Sequence, residues 1–309
     1  MLKDTMTVEL DPPVSIAMPV FNCERTLATA IRSILNQTFE DFTLLLLDDG
    51  STDRSLEIAQ SFVDSRVRIF ADGMHRGIAS RLNQAISLSR GKYFARMDSD
   101  DVSYPDRLAL QMEFLSQHPE IDLLGGGVLV FGPDGEALGT RRCVISHKQI
   151  CERPWRGFLL AHPTWMGKTE WFRSHLYHDD VLRGEDQDLL FRSHESSRFA
   201  ALPEIIVGYR EGHLSLKNLL RGRTYFVKCV VRDATEKGKY FIAGAAILEQ
   251  ALKGLVDCFA IYTGLNYKIL RHRALPIGEE EKQRWAQVWN ATQQKIALIG
   301  RSNGLKCRS

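Results

Sequence analysis

The chain has few cysteines, and none of them form closely spaced pairs. The six lie far apart, at Cys23, Cys143, Cys151, Cys229, Cys258 and Cys307. Structural zinc sites and disulfide frameworks usually show as cysteines close together in the sequence. The spacing therefore argues against both and predicts a protein of the reducing cytoplasm.

The chain also lacks a long uninterrupted hydrophobic run. Residues 1–13 contain four charged side chains and no apolar core, which argues against a signal peptide. The most apolar later stretch, 241–265, is interrupted by polar residues at Glu249, Gln250, Lys253 and Asp257. Polar residues of this kind are costly within a bilayer, so we expect no transmembrane helix.

Charge is unevenly distributed along the chain. Residues 216–309 contain 17 Lys and Arg against 7 Asp and Glu, a balance of +10, so residues 1–215 carry −8 of the total charge of +2. An acidic part can hold a metal cation, and a basic part can face an anionic partner. We therefore predict a first domain at 1–215 and a basic helical C-terminal region at 216–309.

The basic region contains an apolar face at helical spacing, formed by Ile242, Ala245, Leu248, Leu252, Leu255, Val256 and Phe259. One interpretation is a helical pair that rests on an anionic membrane, which would place the protein peripherally on the inner face of the cell membrane. The other is a helical lid that packs on the first domain. The excess of basic residues favours the membrane interpretation, and the apolar face slightly favours the interpretation as a packed lid. Trp285 and Trp289, four residues apart, predict a packing stripe on a terminal helix.

Apolar runs alternate with helical periodicity over the first hundred residues. Runs typical of buried strands lie at 14–20, 42–47, 67–70 and 93–97. This alternation predicts an α/β fold with a mainly parallel sheet and helices on both faces. Ligands of such sheets bind beyond the carboxyl ends of the strands.

Acidic clusters follow two of these predicted strands. Asp98, Asp100 and Asp101 come directly after the fourth run, and their mutual repulsion is offset when Mg²⁺ or Mn²⁺ binds among them. Asp48 and Asp49 follow the second run, where a carboxylate can accept a hydrogen bond from a base or a ribose. A solvated turn and a helix cap are the structural alternatives. The positions favour a site for a divalent metal and a nucleotide diphosphate.

Further candidates are less specific. The acidic cluster 184–188 could supply a carboxylate that deprotonates an acceptor hydroxyl, or it could simply favour a helix N-terminus through the macrodipole. Spacing alone does not separate these two interpretations. His162, Arg210 and His213 could bind phosphate or metal, although most single histidines are structural.

Seven collinear strings resemble those of glycosyltransferase family 2, a large family of inverting enzymes with the Rossmann-like GT-A fold. They are VSIAMPVFN (14–22), SILNQTFEDF (33–42), LLLDDGSTD (45–53), GKYFARMDSDD (91–101), PDRL (105–108), HPTWM (162–166) and GEDQDLLFR (184–192). The resemblance implies transfer of a sugar from a nucleotide-diphosphate donor, with UDP favoured, to a hydroxyl of a glycan or lipid-linked acceptor in bacterial-type surface polysaccharide or glycolipid synthesis. The last 94 residues lie outside it.

The resemblance also implies roles for individual residues. Six of them would bind the nucleotide: Pro19, Asn22, Asp49 (uracil), Asp98 (ribose), and Arg210 and His213 (diphosphate). Asp100 would bind Mn²⁺ or Mg²⁺, and Asp186 would be the catalytic base. Three residues would lie on the acceptor side: His162, Trp165 and Glu185.

Two positions depart from the family's pattern. Arg81 is displaced by one residue from the commonest arrangement, so it receives no role. Trp165 stands where a smaller aliphatic residue is usual, and it either reshapes the acceptor pocket or changes the packing.

Two other functions fit the same fold class. A nucleotidyltransferase should carry a Gly-rich loop after the first strand, and residues 19–24 contain no glycine. A non-catalytic sugar-nucleotide-binding or scaffold protein would have no need for Asp98, Asp100 and Asp186 together. No nucleic-acid partner is expected.

Overall fold

The computed structural model describes residues 11–211, 216–263 and 275–293. A mixed nine-stranded sheet forms the centre of the fold. The strands are β1 (Val14–Val20), β2 (Phe42–Asp48), β3 (Val67–Ala71), β4 (Tyr93–Arg96), β5 (Val102–Ser103), β6 (Leu123–Phe131), β7 (Ala137–Thr140), β8 (Met166–Lys168) and β9 (Phe199–Arg210). The α-helices in these ranges are α1 (Leu27–Leu35), α2 (Ser55–Gln60), α3 (Ile78–Leu88), α4 (Arg107–Gln117), α5 (His147–Ile150), α6 (Thr169–Ser174), α7 (Glu185–Ser193), α8 (Leu216–Glu236), α9 (Tyr240–Tyr262) and α10 (Glu279–Gln293).

The strand order is β3-β2-β1-β4-β8-β6-β9-β5, with β7 paired to β6 outside this path. Strands β1 to β4 form the predicted parallel sheet, with β2 and β4 on either side of β1. Beyond β4 the sheet is mixed, because β8 runs antiparallel to both β4 and β6, whereas β6 and β9 are parallel. The sequence predicted neither β8 nor β9.

The register of the parallel strands brings their carboxyl ends to one edge. Val20 at the end of β1 pairs with Asp48 at the end of β2, and Asp48 pairs in turn with Ala71 of β3. Arg96 at the end of β4 lies beside Ala17 of β1. The loops that follow these strands therefore meet, as the pattern of strands predicts.

Both faces of the sheet are buried. Ile16 and Ala17 are adjacent in β1, have no exposed surface, and belong to different apolar clusters on opposite faces. Successive side chains of a strand point to opposite faces, so a strand covered on both sides is apolar throughout. This explains why β1 and β2 are continuous apolar runs.

Helix α10 packs on the far end of the sheet through Trp285, as the tryptophan stripe predicts. The Trp285 ring lies 4.7 Å from that of Phe131 and 5.9 Å from that of Tyr104, centroid to centroid. Its Nε1 donates a hydrogen bond to the carbonyl oxygen of Gly135 (2.7 Å). The predicted packing role is confirmed, whereas the division of the chain at residue 215 stays a prediction.

We expect Trp285→Ala to lower the free energy of unfolding by about 3–5 kcal/mol, because it leaves a cavity between α10 and the sheet. Gln287→Ala on the exposed side of the same helix is the control, with an expected change within about 0.5 kcal/mol. Urea denaturation measures both. Equal effects would show that α10 is not packed as described.

The apolar face of α9 is largely exposed, so the interpretation in which this face packs on the first domain is wrong, although the helix contacts that domain through its other face. Five of its seven residues are more than half exposed: Leu248, Leu252, Leu255, Val256 and Phe259. Ile242 is instead partly buried against the core of the first domain. The opposite face, which includes Ala246, Gly254 and Asp257, is buried. No helix of the described segments has both the length and the apolarity needed to cross a membrane.

Candidate functional site

The loop after β4 brings three carboxylates together. Asp98, Asp100 and Asp101 each offer an oxygen within 4.8 Å of the others. Burial and the neighbouring Asp98 raise the pKa of Asp100 to about 6. Burial and both neighbouring carboxylates raise the pKa of Asp101 well above its usual range. The loop therefore concentrates negative charge in a partly desolvated position.

This loop fits a hard divalent cation. Carboxylate oxygens are the ligands that Mg²⁺ and Mn²⁺ prefer, and bound positive charge would offset the repulsion that raises these pKa values. Asp101 Oδ1 accepts a hydrogen bond from the Arg210 backbone N–H (2.8 Å), and its buried Oδ2 has no hydrogen-bond partner in the described residues. Asp101 thus anchors the loop, while Asp100 is the most solvent-accessible of the three carboxylates.

Beneath the loop, Arg96 at the end of β4 pairs with Asp98. Arg96 is 3% exposed, and its Nη1 and Nη2 each lie 2.5 Å from an oxygen of Asp98. A buried guanidinium requires such a partner. Arg96 has no predicted role, although a charged residue inside an apolar strand next to an acidic loop is a usable signal.

Arg210, predicted to contact the diphosphate, lies at the end of β9 beside this loop. Its Nε donates to the carbonyl oxygen of Asp100 (2.8 Å), and its guanidinium lies 4.6 Å from the centroid of the Phe131 ring. The structure thus brings it next to the predicted metal residue. The other residue predicted for the diphosphate, His213, lies outside the described residues.

Asp49 follows β2 and is enclosed by the loop after β3. Its Oδ1 accepts hydrogen bonds from the Arg76 backbone N–H (2.7 Å) and Arg81 Nε (2.9 Å). Its Oδ2 accepts from the Gly77 backbone N–H (3.0 Å) and lies 2.9 Å from His75 Nδ1. A carboxylate has about four acceptor positions. A uracil N3–H, the predicted partner of Asp49, would therefore have to replace one of these groups.

Arg81, left without a role by the sequence, joins two acidic loops. It is 1% exposed, bonds Asp49 through Nε, and reaches Asp72 Oδ1 through Nη2 (2.6 Å). The Arg81 guanidinium holds the pKa of Asp72 well below its usual range. Arg81 therefore sets the position of Asp49 at the strand edge.

We expect Arg81→Gln to lower the free energy of unfolding by about 3–5 kcal/mol, because Asp49 would stay buried without its charged partner. Arg76→Gln is the matched control, since Arg76 also pairs with Asp72 but is 47% exposed. Its expected effect is below about 1 kcal/mol. Chemical denaturation compares the two, and a control as damaging as Arg81→Gln would contradict the assignment.

The loop after β1 completes this edge. Asn22 has a positive φ of 47°, a conformation that asparagine tolerates well, and its Oδ1 accepts from the Thr52 backbone N–H (2.8 Å). Phe21 is 46% exposed and stacks on His75 with 4.4 Å between ring centroids. Pro19 is partly buried at the end of β1. The structure thus places Pro19 and Asn22 beside Asp49 and an exposed aromatic pair.

A cleft of about 1010 Å³ opens next to the acidic loop. Four of the predicted site residues line it: Asp98, His162, Glu185 and Asp186. They come from the loop after β4, from the short turn His162–Thr164 and from the first turn of α7. The sheet edge and α7 therefore bring together residues that lie up to 88 positions apart in the sequence (98 to 186).

Asp186 lies in the first turn of α7, where Gly184 adopts a left-handed conformation (φ 76°) that favours glycine. Gln187 Nε2 donates to Asp186 Oδ2 (3.2 Å), while Gln187 Oε1 accepts from the Phe158 backbone N–H (2.7 Å). Burial raises the pKa of Asp186, and it raises that of Glu185 to about 7. A carboxylate with a raised pKa is a stronger base near neutral pH.

His162 is buried and neutral, since burial and the charge of Arg96 hold its pKa well below the usual range. Its Nε2 lies 2.8 Å from the Tyr177 hydroxyl. Its Nδ1 is 3.7 Å from Glu185 Oε1, too far for a hydrogen bond.

The prediction that Trp165 faces the acceptor is wrong. Trp165 has no exposed surface, and its Nε1 donates to the carbonyl oxygen of Leu160 (3.2 Å). Its ring packs edge-on against that of His162. The larger side chain therefore fills the core beneath the cleft.

The comparisons with known proteins point to one family. The family described as "Glycosyl transferase family 2" matches residues 15–176, more than half of the chain. The provisionally named glycosyltransferase EpsE of Bacillus subtilis (strain 168) is 41% identical over 127 residues, which cover 40% of this chain and 46% of that protein. An uncharacterized glycosyltransferase of Methanocaldococcus jannaschii is 29% identical over 66% of this chain and 73% of its own. The chain thus spans less than half the length of the first relative.

Solved structures show the same fold. Residues 1–349 of S. aureus TarS superpose with a TM-score of 0.59 at 17% identity, over 90% of this chain and 79% of that one. The mannosyltransferase PcManGT of Pyrobaculum calidifontis, solved with GDP-Man and Mn²⁺, gives a TM-score of 0.57 at 14% identity, over 91% and 85% of the two chains. These likenesses confirm the predicted GT-A type of fold.

Proposed function

The chain belongs to glycosyl transferase family 2, and we propose that it transfers a sugar from a nucleotide-diphosphate donor to a hydroxyl group, with inversion at the sugar carbon. The observation that carries the proposal is the cleft shared by Asp98 of the acidic loop and Asp186 of α7. A donor bound at the strand edge would present its sugar to that cleft.

The residues divide the work between donor and acceptor. Asp186, held by Gln187, would take the proton from the acceptor hydroxyl, whose oxygen then attacks C1 of the donor sugar as the bond to the nucleoside diphosphate breaks. Asp100 and its neighbours would hold Mn²⁺ or Mg²⁺, whose charge would stabilise the departing diphosphate. Arg210 would keep the loop in place.

Solved structures of similar fold and the position of Asp49 both support the class of donor. TarS has been solved with UDP-GlcNAc, and PcManGT with GDP-Man and Mn²⁺. A UDP-sugar, of the hexose or N-acetylhexosamine class, is favoured here because Asp49 lies at the edge where a uracil would sit, with the uracil N3–H replacing one of the four groups that now contact Asp49. The acceptor in this proposal is a glycan or lipid-linked sugar of surface polysaccharide synthesis.

A donor screen tests this function. The protein would be incubated with UDP-, GDP- and dTDP-sugars and either Mn²⁺ or Mg²⁺, and release of the nucleoside diphosphate would be followed. We expect release from at least one donor and its loss with EDTA. A nucleotidyltransferase would instead consume a sugar phosphate and produce pyrophosphate. The proposal would be contradicted if the protein neither bound nor hydrolysed any of the donors.

We further propose that α9 lies on a membrane surface and brings the enzyme to a lipid-linked acceptor. Its exposed apolar face supports this, because the apolar face of such a helix becomes buried among acyl chains when the helix lies on a bilayer. The contribution of charge is smaller than the sequence indicates. Four cations of the region pair with carboxylates of the chain: Arg223, Arg232, Lys237 and Lys239.

Vesicle sedimentation tests the membrane proposal. We expect binding to vesicles of phosphatidylglycerol and phosphatidylethanolamine, and at least a tenfold loss in a Leu248→Gln, Leu252→Gln, Leu255→Gln variant, since each leucine contributes about 1.5–3 kcal/mol when fully buried. Val63→Gln, which changes a 90% exposed apolar residue outside α9, is the control. Equal binding by the triple variant would exclude α9 as the contact.

A further inference from the structure

Three cations are among the exposed residues of the cleft lining, here called its mouth, whereas Glu185 and Asp186 are buried or half-buried and form what is here called its floor. Arg141, Arg142 and Arg183 line the cleft and are exposed. Arg142 and Arg183 form no ion pair with the residues that the structure describes. Most arginines elsewhere in these segments do, as Arg66, Arg81, Arg192 and Arg223 illustrate. Glu211 also lines the cleft, so three exposed guanidinium groups face one further carboxylate, and the balance of charge at the opening is positive.

Arg141 is held in place without losing its charge. Its guanidinium lies 4.0 Å from the centroid of the Tyr209 ring, and its backbone N–H donates to the carbonyl oxygen of Val128 (3.0 Å). Stacking on an aromatic ring fixes the plane of the group and leaves its N–H donors at the edge. Such a fork matches the oxygens of a phosphate.

Apolar surface lies in the same opening. Leu159 is 47% exposed and Leu182 is 65% exposed, and both line the cleft. Leu182 directly precedes Arg183 in the sequence. An apolar group bound at the mouth would therefore lie beside the cations.

The floor carries the opposite charge. Glu185 and Asp186 lie there, and Asp98 is already paired with Arg96. An anion would be repelled at the floor and attracted at the mouth, whereas a neutral sugar could reach Asp186. The charge distribution thus separates the two ends of one acceptor.

We propose that the acceptor carries a phosphate group, which Arg141, Arg142 and Arg183 bind at the cleft mouth while its sugar hydroxyl reaches Asp186. This inference rests on the proposed function and specifies its acceptor. The phosphate could belong to a lipid-linked sugar, whose chain would contact Leu159 and Leu182, or to a water-soluble glycan phosphate. Both present the same anion to the arginines.

Direct binding distinguishes these cases without needing the donor. Hexyl diphosphate, inorganic pyrophosphate and neutral hexyl glucoside would be titrated calorimetrically into the full chain in metal-free buffer. We expect hexyl diphosphate to bind at least tenfold more tightly than hexyl glucoside, and an Arg142→Gln, Arg183→Gln variant to lose at least tenfold of that affinity. Tighter binding of hexyl diphosphate than of pyrophosphate identifies a lipid source, and equal binding identifies a soluble one.

The control is Arg68→Gln, because Arg68 is exposed on β3 outside the cleft and unpaired in the described residues. It should bind the probes like the wild type. Tight binding of hexyl glucoside, no saturable binding of hexyl diphosphate, or an unchanged affinity in the double variant would overturn the proposal. The donor screen is read separately, so failure of the glycosyltransferase function would show there and not in these titrations.

Discussion

Replacement of Asp186 by asparagine is expected to lower kcat for sugar transfer by about 10²–10⁴-fold, the usual contribution of a general base. Asparagine keeps the size of the side chain and can still pair with Gln187, but it cannot accept the proton of the acceptor hydroxyl. Binding of the donor should be unchanged, because the predicted donor residues lie at the strand edge and not on α7.

The measurement separates chemistry from binding. Transfer rates at saturating donor give kcat, and calorimetry gives the affinity for the nucleoside diphosphate. Asp134→Asn in the exposed turn between β6 and β7 is the matched control and should transfer normally. Full turnover by the Asp186→Asn variant would remove Asp186 as the base, and loss of donor affinity would show that it acts in binding instead.

Replacement of Asp100 by asparagine is expected to abolish metal-stimulated donor hydrolysis, because it removes the most solvent-accessible carboxylate of the acidic loop. The fold should be retained, since Asp101 and Arg210 keep the loop anchored. The midpoint of thermal unfolding, measured with and without Mn²⁺, provides a second test. Mn²⁺ should raise the midpoint of the wild type and leave that of the variant unchanged.

Acid should weaken the same site. The metal-free Asp100 has a pKa of about 6, raised by burial and by Asp98, so protons compete with the cation below that pH. We expect Mn²⁺ affinity to fall about tenfold for each pH unit below about 6 and to be nearly constant above pH 7. A pH-independent affinity between pH 5 and 7, or one that rises in acid, would contradict this account of the loop.

The sequence predicts those parts of the molecule for which the local hydrophobic pattern and the topology of the sheet lead to the same conclusion. Strands β1 to β4 are short apolar runs ending in polar loops, and parallel strands must bring those loops to one edge. Asp98, Asp100 and Asp49 could therefore be placed from their positions alone. The cleft shared with Asp186 required the resemblance, because the chain path from β4 to α7 is not periodic.

The remaining features depend on long-range contacts. Strand β8 has three residues, too few for a periodicity, and β9 contains Pro203 and pairs with β6 through register shifts. The buried pair of Arg96 and Asp98 and the contacts of Arg81 are set by the packing of several loops. Trp165 and α9 show the same limit, since a pattern identifies an apolar group but not the neighbour that covers it.

The most direct test of the central claim is calorimetric titration of UDP and GDP into the wild-type protein with and without Mn²⁺. If the acidic loop holds a metal that binds the nucleotide diphosphate, one of the two should bind at a single site, at least tenfold more tightly with Mn²⁺, and Asp100→Asn should remove the difference. The absence of binding by either nucleotide in the presence of Mn²⁺ would contradict the account.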